Sequence, residues 1–365
     1  MREQFEREIQ DDPDDLNRYA VYADWLMDQG DPRGEFMQIQ LLLERGDLPT
    51  AERAKLKERE EQLLNQHFRE WTGRLADKLS IKMERATRHK WNHCTFARGM
   101  LDVVLFPKYD RRVLSLLANS PQGRFLRQLV IEYMSYQDEA RKPESINFPN
   151  VRVLRWGEGG SGCNGEGIVE LIHGLPRLEE LVLEAHAVDT HQLFDLSMPC
   201  LRQLTVHHLT DYFVEQLAEN PTLTKLELIS FHPHAVEPGE DEACLRLEHV
   251  QAIARSPYLK NLRHLELHAC SMGDEGCTEL VESGLLGRLR VLDLSHGRVS
   301  DAGAAQLAQS PHLSKLERLA LTHNCLTDAG IRQLQETGVN LEATEQWEMT
   351  GGDGDDEYLY SGDWE

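Results

Sequence analysis

Leucines return along the C-terminal half of the chain in threes, at positions 1, 4 and 6 of a short run, as in Leu289, Leu292, Leu294 and again in Leu316, Leu319, Leu321. In an extended segment successive side chains point to opposite faces, so positions 4 and 6 enter a core while positions 3 and 5 face out. Behind the first run, D-A-G-A-A-Q-L-A places Ala304, Leu307 and Ala308 at helical spacing, with Asp301 as the expected N-cap. The stretch 289–330 states this strand-and-helix unit twice, with Leu292/Leu319, Asp301/Asp328 and Gly303/Gly330 each 27 residues apart. One strand and one helix cannot bury their apolar faces alone, so such units must stack.

The pattern L-x-x-L-x-L-x-x-N-x-L is met in full at Leu316, Leu319, Leu321, Asn324 and Leu326. It resembles a leucine-rich repeat, for which a period of about 20 to 29 is expected, and is similar to the ribonuclease-inhibitor-like class. The resemblance implies an α/β fold: a curved solenoid with a parallel sheet on its concave side and helices outside. Repeat strands are expected to centre on Leu129, Leu154, Leu181, Leu204, Leu226, Leu265, Leu292 and Leu319, at gaps of 25, 27, 23, 22, 39, 27 and 27. Before them, FARGMLDVVLF (96–106) reads as a first, capping strand, with Met100 or Leu101, Val103 and Leu105 alternating. A degenerate unit at 341–347 is expected to close the other end.

The N-terminal pattern is helical instead. Asp12-Pro13-Asp14-Asp15 signals a helix start, Leu16, Tyr19, Tyr22, Ala23 and Leu26 recur at helical spacing, and Gly30-Asp31-Pro32 ends the run. A second helix takes Phe36, Ile39, Gln40 and Leu43, and a third, capped by Thr50, runs through Leu56, Leu63 and Leu64 to Trp71. YADWLMDQGDPRGEFMQIQ, with Trp25, Gly34 and Phe36, resembles the small helical companion domain that precedes leucine-rich repeats in planctomycete and myxobacterial proteins; EQLLNQHFREWTGRL resembles its continuation. The resemblance implies a bacterial interaction protein and supplies no catalytic residues. Asp24, Asp31, Arg33 and Glu35 form a polar group there, for which caps and ion pairs are the plainer roles. The expected organisation is a companion domain at 1–80, a capping region at 81–125, repeats at 126–350 and a tail at 351–365.

Three stretches break the regularity. FHPHAVEPGEDEA (231–243) carries the excess length between two repeats, and insertions in repeats become loops on one face. GEGGSGCNGEG (157–167) lacks the G-K-[ST] of a phosphate loop. Residues 342–365 hold nine acids and no Lys or Arg, with Tyr358, Tyr360 and Trp364 among them. Such a tail either solubilises the protein or orders its aromatics on a basic partner.

Charge then narrows the partner. With 62 acidic against 39 basic residues the chain carries a net charge of −23, which repels nucleic acid and suits a protein with a basic patch. The start, MREQFEREIQ, has no apolar targeting run, no stretch of about 18 apolar residues occurs, and a cytoplasmic location without membrane contact is expected. Seven scattered cysteines never stand in C-x-x-C spacing, so neither a zinc site nor a disulfide framework is expected. Cys270, where the repeat takes Asn or Cys, reads as a buried structural residue.

The repeat frame shows which polar side chains share the concave face. Position 3 offers Glu180, Gln203, Lys225, His264 and Arg318; position 5 offers Arg155, Glu227, Glu266 and Asp293; position 7 offers Glu184, His207, His268, Ser295 and Thr322. They line a wall, and their expected role is partner binding, together with the three tail aromatics. Ser295, His268 and Asp293 allow a Ser-His-Asp set on adjacent strands, but no strained G-x-S-x-G elbow accompanies them. Strand-end histidines, His207, His208, His268, His296 and His323, lack metal-site spacing. No cofactor is expected. Three functions follow: a non-catalytic scaffold or adaptor, a dedicated inhibitor or regulatory subunit of a partner enzyme in bacterial signalling or defence, and, third, an enzyme.

Overall fold

The structure, a computed structural model, describes residues 1–80, 92–135, 146–157, 163–208, 211–233 and 245–347. The tail aromatics Tyr358, Tyr360 and Trp364 and most of the 231–243 insert lie outside the described residues. The chain forms two compact units, Met1–Met134 with Ala140–Arg155 and Glu170–Leu178, and Ser135–Glu139 with Trp156–Val169 and Glu179–Glu365.

The first unit opens with four helices: α1 (Arg2–Asp11), α2 (Leu16–Asp28), α3 (Pro32–Glu44) and α4 (Thr50–Thr72). The Asp15 carboxylate caps α2 by accepting from the Asn17 N–H at 3.0 Å, and Asp31 caps α3 through the Arg33 N–H at 3.0 Å. Pro32 follows in the first turn, where a missing N–H has no intrahelical partner to lose. Gly30, at φ +73°, makes the left-handed turn between these helices. Tyr19, Tyr22, Ala23 and Leu26 pack with Ile9 and Met37, whereas Leu16, at the start of the same series, is 43% exposed. A second cluster joins Phe36, Ile39, Leu63 and Trp71.

The strands that begin in this unit are β1 (Leu79–Ser80), β2 (Asn92–Ala97), β3 (Met100–Phe106), β4 (Gln128–Ile131) and β5 (Val153–Trp156), with α5 (Arg111–Ala118) between β3 and β4; α6 (Ile168–Ile172), which ends in this unit, follows β5. The expected single strand 96–106 is an antiparallel hairpin, turned at Arg98 and Gly99 with φ +52° and +73°. Its inward alternation also differs. Val104 and Phe106 align with Leu129 and Ile131 and are fully buried, while Val103 and Leu105 align with Gln128 and Val130 on the outward face.

The second unit repeats strand and helix: β6 (Glu180–Glu184), α7 (Thr190–Asp195), β7 (Gln203–His208), α8 (Val214–Glu219), β8 (Leu228–Pro233), β9 (Leu245–Arg246), α9 (Leu247–Arg255), β10 (His264–Leu267), β11 (Cys270–Ser271) and α10 (Gly273–Glu282). It continues with β12 (Val291–Asp293), α11 (Asp301–Ala308), β13 (Arg318–Ala320), α12 (Asp328–Glu336) and β14 (Leu341–Glu342). In space β6, β7, β8, β10, β12, β13 and β14 are successive neighbours, and every register given among them is parallel. Small β9 and β11 pair separately. This is a leucine-rich repeat solenoid of the α/β class.

In this second unit one register differs from the sequence expectation. Leu204 and Leu265 both align with Ile229, so β8 centres there and Leu226 takes position 1. The segment offers two frames: Leu223, Leu226, Leu228 fits the leucine pattern, while Leu226, Ile229, Phe231 buries the larger residues. The second prevails, with Ile229 and Phe231 fully buried and Leu228 half-buried. Burying such a side chain contributes about 1.5–3 kcal/mol relative to leaving it in water.

Polar bonds set the seams between the regular repeats. Ser300, not Asp301, caps α11 by accepting from the Ala302 N–H at 3.1 Å. The carboxylate of Asp301 reaches the next repeat instead, accepting from the Thr327 N–H at 2.9 Å and the Thr327 hydroxyl at 2.6 Å. Asp274 does the same one repeat earlier, with the Ser300 N–H at 2.8 Å, its hydroxyl at 2.6 Å and the Gly303 N–H at 2.9 Å. A Cβ on Gly303 would lie 2.4 Å from Asp274 Oδ1, and one on Gly330 2.1 Å from Asp301 Oδ1, so each D-A-G glycine clears a place for a carboxylate. Asn324, fully buried, accepts from the Gly297 and Val299 N–H groups and donates to the Leu294 and Thr322 carbonyls, at 2.8–3.2 Å. Every hydrogen-bonding site of its amide that counts is thereby used inside the core.

Candidate functional site

Positions 3, 5 and 7 of β6 to β13 lie on the sheet face opposite the leucines. The register puts Glu180 and Glu184 on β6 beside Gln203 and His207 on β7, and His264 and Glu266 on β10 beside Val291 and Asp293 on β12. Arg318 pairs with Val291 in register, with Thr322 four residues beyond it. On β8 the face consists of Leu228, Ser230 and His232, in place of the expected Lys225 and Glu227. Lys225 and Glu227 are exposed before that strand. Arg155, at position 5 of β5, belongs to the first unit and is exposed.

Position 2 carries a second polar row that the wall positions do not reveal. The Glu227 N–H donates to the Arg202 carbonyl at 2.7 Å, the Arg263 N–H to the Glu227 carbonyl at 2.8 Å, and the Glu317 N–H to the Arg290 carbonyl at 2.7 Å. Their side chains pair along the same line, Arg202 with Glu227 at 2.5 Å and Arg290 with Glu317. The signal was present in the sequence as a charged residue directly after each position-1 leucine, Glu179, Arg202, Glu227, Arg263, Arg290 and Glu317.

The centre of the face is a row of imidazoles at position 7. The His207 and His232 rings stand 4.7 Å apart at 70°, and the His232 and His268 rings 4.6 Å apart at 27°. His268 Nε2 lies 3.8 Å from Asp293 Oδ1. Asp293 is only 3% exposed although it sits on the outward face, because its neighbours satisfy it: Ser295 donates through its N–H at 3.0 Å and its hydroxyl at 2.6 Å, and Arg318 approaches Oδ2 at 3.0 Å. Arg318 also holds Glu342 at 2.8 Å, and that hydrogen bond, with Asp293 beside it, keeps the guanidinium pKa above its ordinary value. A buried carboxylate left without such partners would cost several kcal/mol.

Ser295, Asp293 and His268 therefore do meet, but in an order that defeats nucleophile activation. The serine hydroxyl donates directly to the carboxylate, and the imidazole contacts the same carboxylate oxygen. A base accepting the serine proton must stand between the two. Beyond this cluster His296 stacks on His323 at 4.5 Å, and His323 reaches Glu345 at 2.8 Å. Among the described residues no group of three His, Cys, Asp or Glu side chains is placed to hold a metal ion.

The polar group of the first unit disperses into structural contacts. Glu35 holds Arg59 through two bonds of 2.7 and 2.8 Å, and Asp24 accepts from Gln38 at 2.6 Å. Arg33 donates to the Trp71 carbonyl at 3.2 Å and lies 5.6 Å from that ring's centre; burial lowers its pKa from the ordinary value. Cys270 is fully buried and desolvation pushes its thiol up to about 12, which keeps it protonated and unreactive at neutral pH. No described helix is long and apolar enough to cross a membrane.

Residues 258–281, 289–308 and 312–334 match a family model described as Leucine Rich repeat. No curated protein matches the chain. Among solved structures, a protein from Bacteroides fragilis is similar at 14% identity and a TM-score of 0.43, covering 80% of this chain and 85% of its own. An internalin from Listeria monocytogenes is similar at 15% identity and a TM-score of 0.39, covering 70% of this chain and 71% of its own.

Proposed function

We propose that this protein is a non-catalytic scaffold that holds a partner protein on the position-3, 5 and 7 face of its second unit. The observation that carries the reading is the ordering of that face: adjacent strands present a continuous line of polar side chains fixed in advance by stacking and hydrogen bonds, which reduces the side-chain entropy lost on docking. Leucine-rich repeat proteins generally mediate protein–protein interaction, which agrees with it. Glu180, Glu184 and Glu266 on this face and the net charge of −23 favour a partner with a basic patch. Free thiols suit a reducing, cytoplasmic setting.

The test is photo-crosslinking from Glu266 and, as a control, from Lys260 off the strand face, followed by binding measured with the purified partner. Charge reversal at Glu180, Glu184 and Glu266 together is expected to weaken that binding by roughly tenfold or more, with a larger loss at low salt. Unchanged affinity moves the site off this face and overturns the reading.

A further inference from the structure

We propose that the edge at which the chain enters the strands of the second unit is a basic ridge that docks this chain's own acidic stretch, residues 348–365. The ridge is a different surface from the docking face above, and the inference stands whether or not that face holds a partner.

Positive charge gathers where the chain enters its strands. Segments 222–227, 258–263, 285–290 and 312–317 lead into β8, β10, β12 and β13, which are successive neighbours in the sheet. They carry six cations, Lys225, Lys260, Arg263, Arg288, Arg290 and Lys315, against two carboxylates, Glu227 and Glu317, in a chain whose net charge is −23. Both carboxylates are taken, Glu227 by Arg202 at 2.5 Å and Glu317 by Arg290. Among the described residues no carboxylate pairs with the other five cations. Arg263 donates instead to the Lys260 and Leu262 carbonyls at 3.3 and 2.8 Å, Arg288 donates to the Leu259 carbonyl at 3.4 Å, and Lys315 Nζ lies 3.4 Å from His312 Nδ1. Hydrogen bonds hold the segments side by side: Asn261 Nδ2 donates to the Thr224 carbonyl at 2.7 Å, the Arg263 N–H to the Glu227 carbonyl at 2.8 Å and the Arg290 N–H to the Arg263 carbonyl at 2.7 Å. Lys225, Lys260 and Lys315 are exposed, and Arg263 and Arg288 are half-buried. Burial, and after it the charge of Arg263, lowers the Arg288 pKa from its ordinary value. Like charges drawn up along one edge repel, and a polyanion laid across them relieves that repulsion.

Charge and reach select the occupant. Residues 348–365, outside the described residues, hold seven acids and no Lys or Arg, four of the acids in the run Asp353, Asp355, Asp356, Glu357. The stretch begins beside β13, since the Trp347 N–H donates to the Asn324 carbonyl at 2.7 Å. From Asn324 back to the strand entry at Leu316 is about 26 Å at about 3.3 Å per residue, and the ridge then crosses three strand spacings of about 4.8 Å each. Eighteen residues reach at most about 60 Å, which covers both. A tethered segment also meets the ridge at an effective concentration near millimolar, ahead of any free polyanion, while the net charge of the chain repels nucleic acid. Tyr358, Tyr360 and Trp364, next to the acidic run, supply ring faces on which the Arg263 and Arg288 guanidinium groups can stack.

Zero-length carbodiimide coupling of carboxylates to lysine amines in the full chain, read by peptide mass spectrometry, tests the contact. At low salt Asp353, Asp355, Asp356 or Glu357 is expected to join Lys225, Lys260 or Lys315 within single chains, and most of that yield is expected to vanish at about 1 M salt, where the screening length is about 3 Å. Absence of these links at low salt, or their appearance only in covalent dimers, which would make a second copy's stretch the occupant, overturns the proposal. Competition gives an independent measure. In the full chain, Asp353→Asn, Asp355→Asn, Asp356→Asn and Glu357→Gln together are expected to open the ridge, so that a fluorescein-labelled peptide of residues 348–365 binds roughly tenfold more tightly than it binds the parent, whose own stretch competes. Equal affinities overturn the proposal. Adding Lys225→Gln, Lys260→Gln and Lys315→Gln, all at exposed positions, is expected to abolish that gain, and a gain that survives puts the site elsewhere. A single-stranded oligonucleotide that binds the parent as tightly as the opened variant would make nucleic acid the occupant of the ridge and likewise overturn the proposal.

Discussion

The repeats on the two sides of β10 hold their strands in register by different means. From β10 onward the seams are polar and recur: Asp274 and Asp301 each reach the following repeat's Ser or Thr, and Asn324 ties two repeats through three hydrogen bonds. From β6 to β8 the seams are aromatic and particular. Phe194 stacks on Phe231 at 5.5 Å, Tyr212 lies 5.2 Å from Phe231 and donates to the Val206 carbonyl at 3.0 Å, and Asn220 donates to the carbonyls of Phe194 and Leu196 at 2.8 Å each. Both arrangements satisfy buried polar groups and fill the core. Only the first writes itself into the sequence at a fixed period.

The sharpest way to break this comparison is at Ile229. Facing the core, Ile229→Asp is expected to destabilise by several kcal/mol, as is Leu292→Asp in the regular region, since each buries an uncompensated carboxylate. Were Leu226 the strand centre, Ile229 would face out and its replacement would leave the denaturant midpoint near that of the parent. Phe231→Ala is expected to cost about 3–5 kcal/mol by removing the ring on which two others pack.

A smaller effect separates the polar seams from mere surface charge. Asp301→Ala leaves donors of Thr327 without their acceptor and is expected to cost about 1–3 kcal/mol. Asp328 occupies the same place one repeat later, is exposed, and makes no bond of this kind among the described residues. Its replacement by Ala is expected to change stability by no more than about 0.5 kcal/mol. Equal losses at the two positions in urea titrations would show that the clamps do not hold the seam.

The smallest effect lies in α9, between the two regions. His249 accepts from the Arg246 N–H at 3.1 Å through Nδ1, which requires that nitrogen to be unprotonated. Desolvation lowers its pKa, against the opposing pull of Glu215 and Glu248. Below the unfolded value of about 6.5 the unfolded chain therefore binds a proton that the folded chain refuses, so stability falls as pH drops through this range and is independent of the group above it. His249→Gln is expected to make the urea midpoint less sensitive to acid between about pH 7 and pH 5. An identical slope in parent and variant would assign the acid loss elsewhere.

The same contrast explains what was legible. The leucine frame and the helical start followed from periodicity because those positions answer only to burial, whereas the parallel strands came with the resemblance to a leucine-rich repeat. Register failed at β8, where Leu223, Leu226 and Leu228 imitate the repeat and the decisive Phe231 lies three residues past the last leucine of that imitation. It failed at β3 for a related reason: Val103, Val104, Leu105 and Phe106 are all apolar, so alternation had no phase until Leu129 and Ile131 supplied one. Of the candidate face, His207, His268, Asp293 and Ser295 were placed by the frame, but His232 was hidden by the same slip, and with it the continuity of the imidazole row. The satisfaction of Asp293 by Arg318 and Ser295 is a matter of side-chain direction, which spacing does not encode.

The clamps also bear on how such a chain gains and loses length. Each seam is cut between a Ser or Thr and the Asp that follows it, and the same three-residue text, D-A-G, begins at 301 and again at 328. Excising residues 301–327 would join Ser300 directly to Asp328, leaving Asp274 to meet Ser300 and Gly330 where it now meets Ser300 and Gly303. Recombination at that junction changes the copy number by one and keeps the Asp274 clamp, while Asp293 gives up Arg318 and the Gly297 and Val299 N–H groups give up Asn324. The clamp is thus heritable in whole repeats, and a change of length asks for repair only where Asp293 and Asn324 reach across the seam.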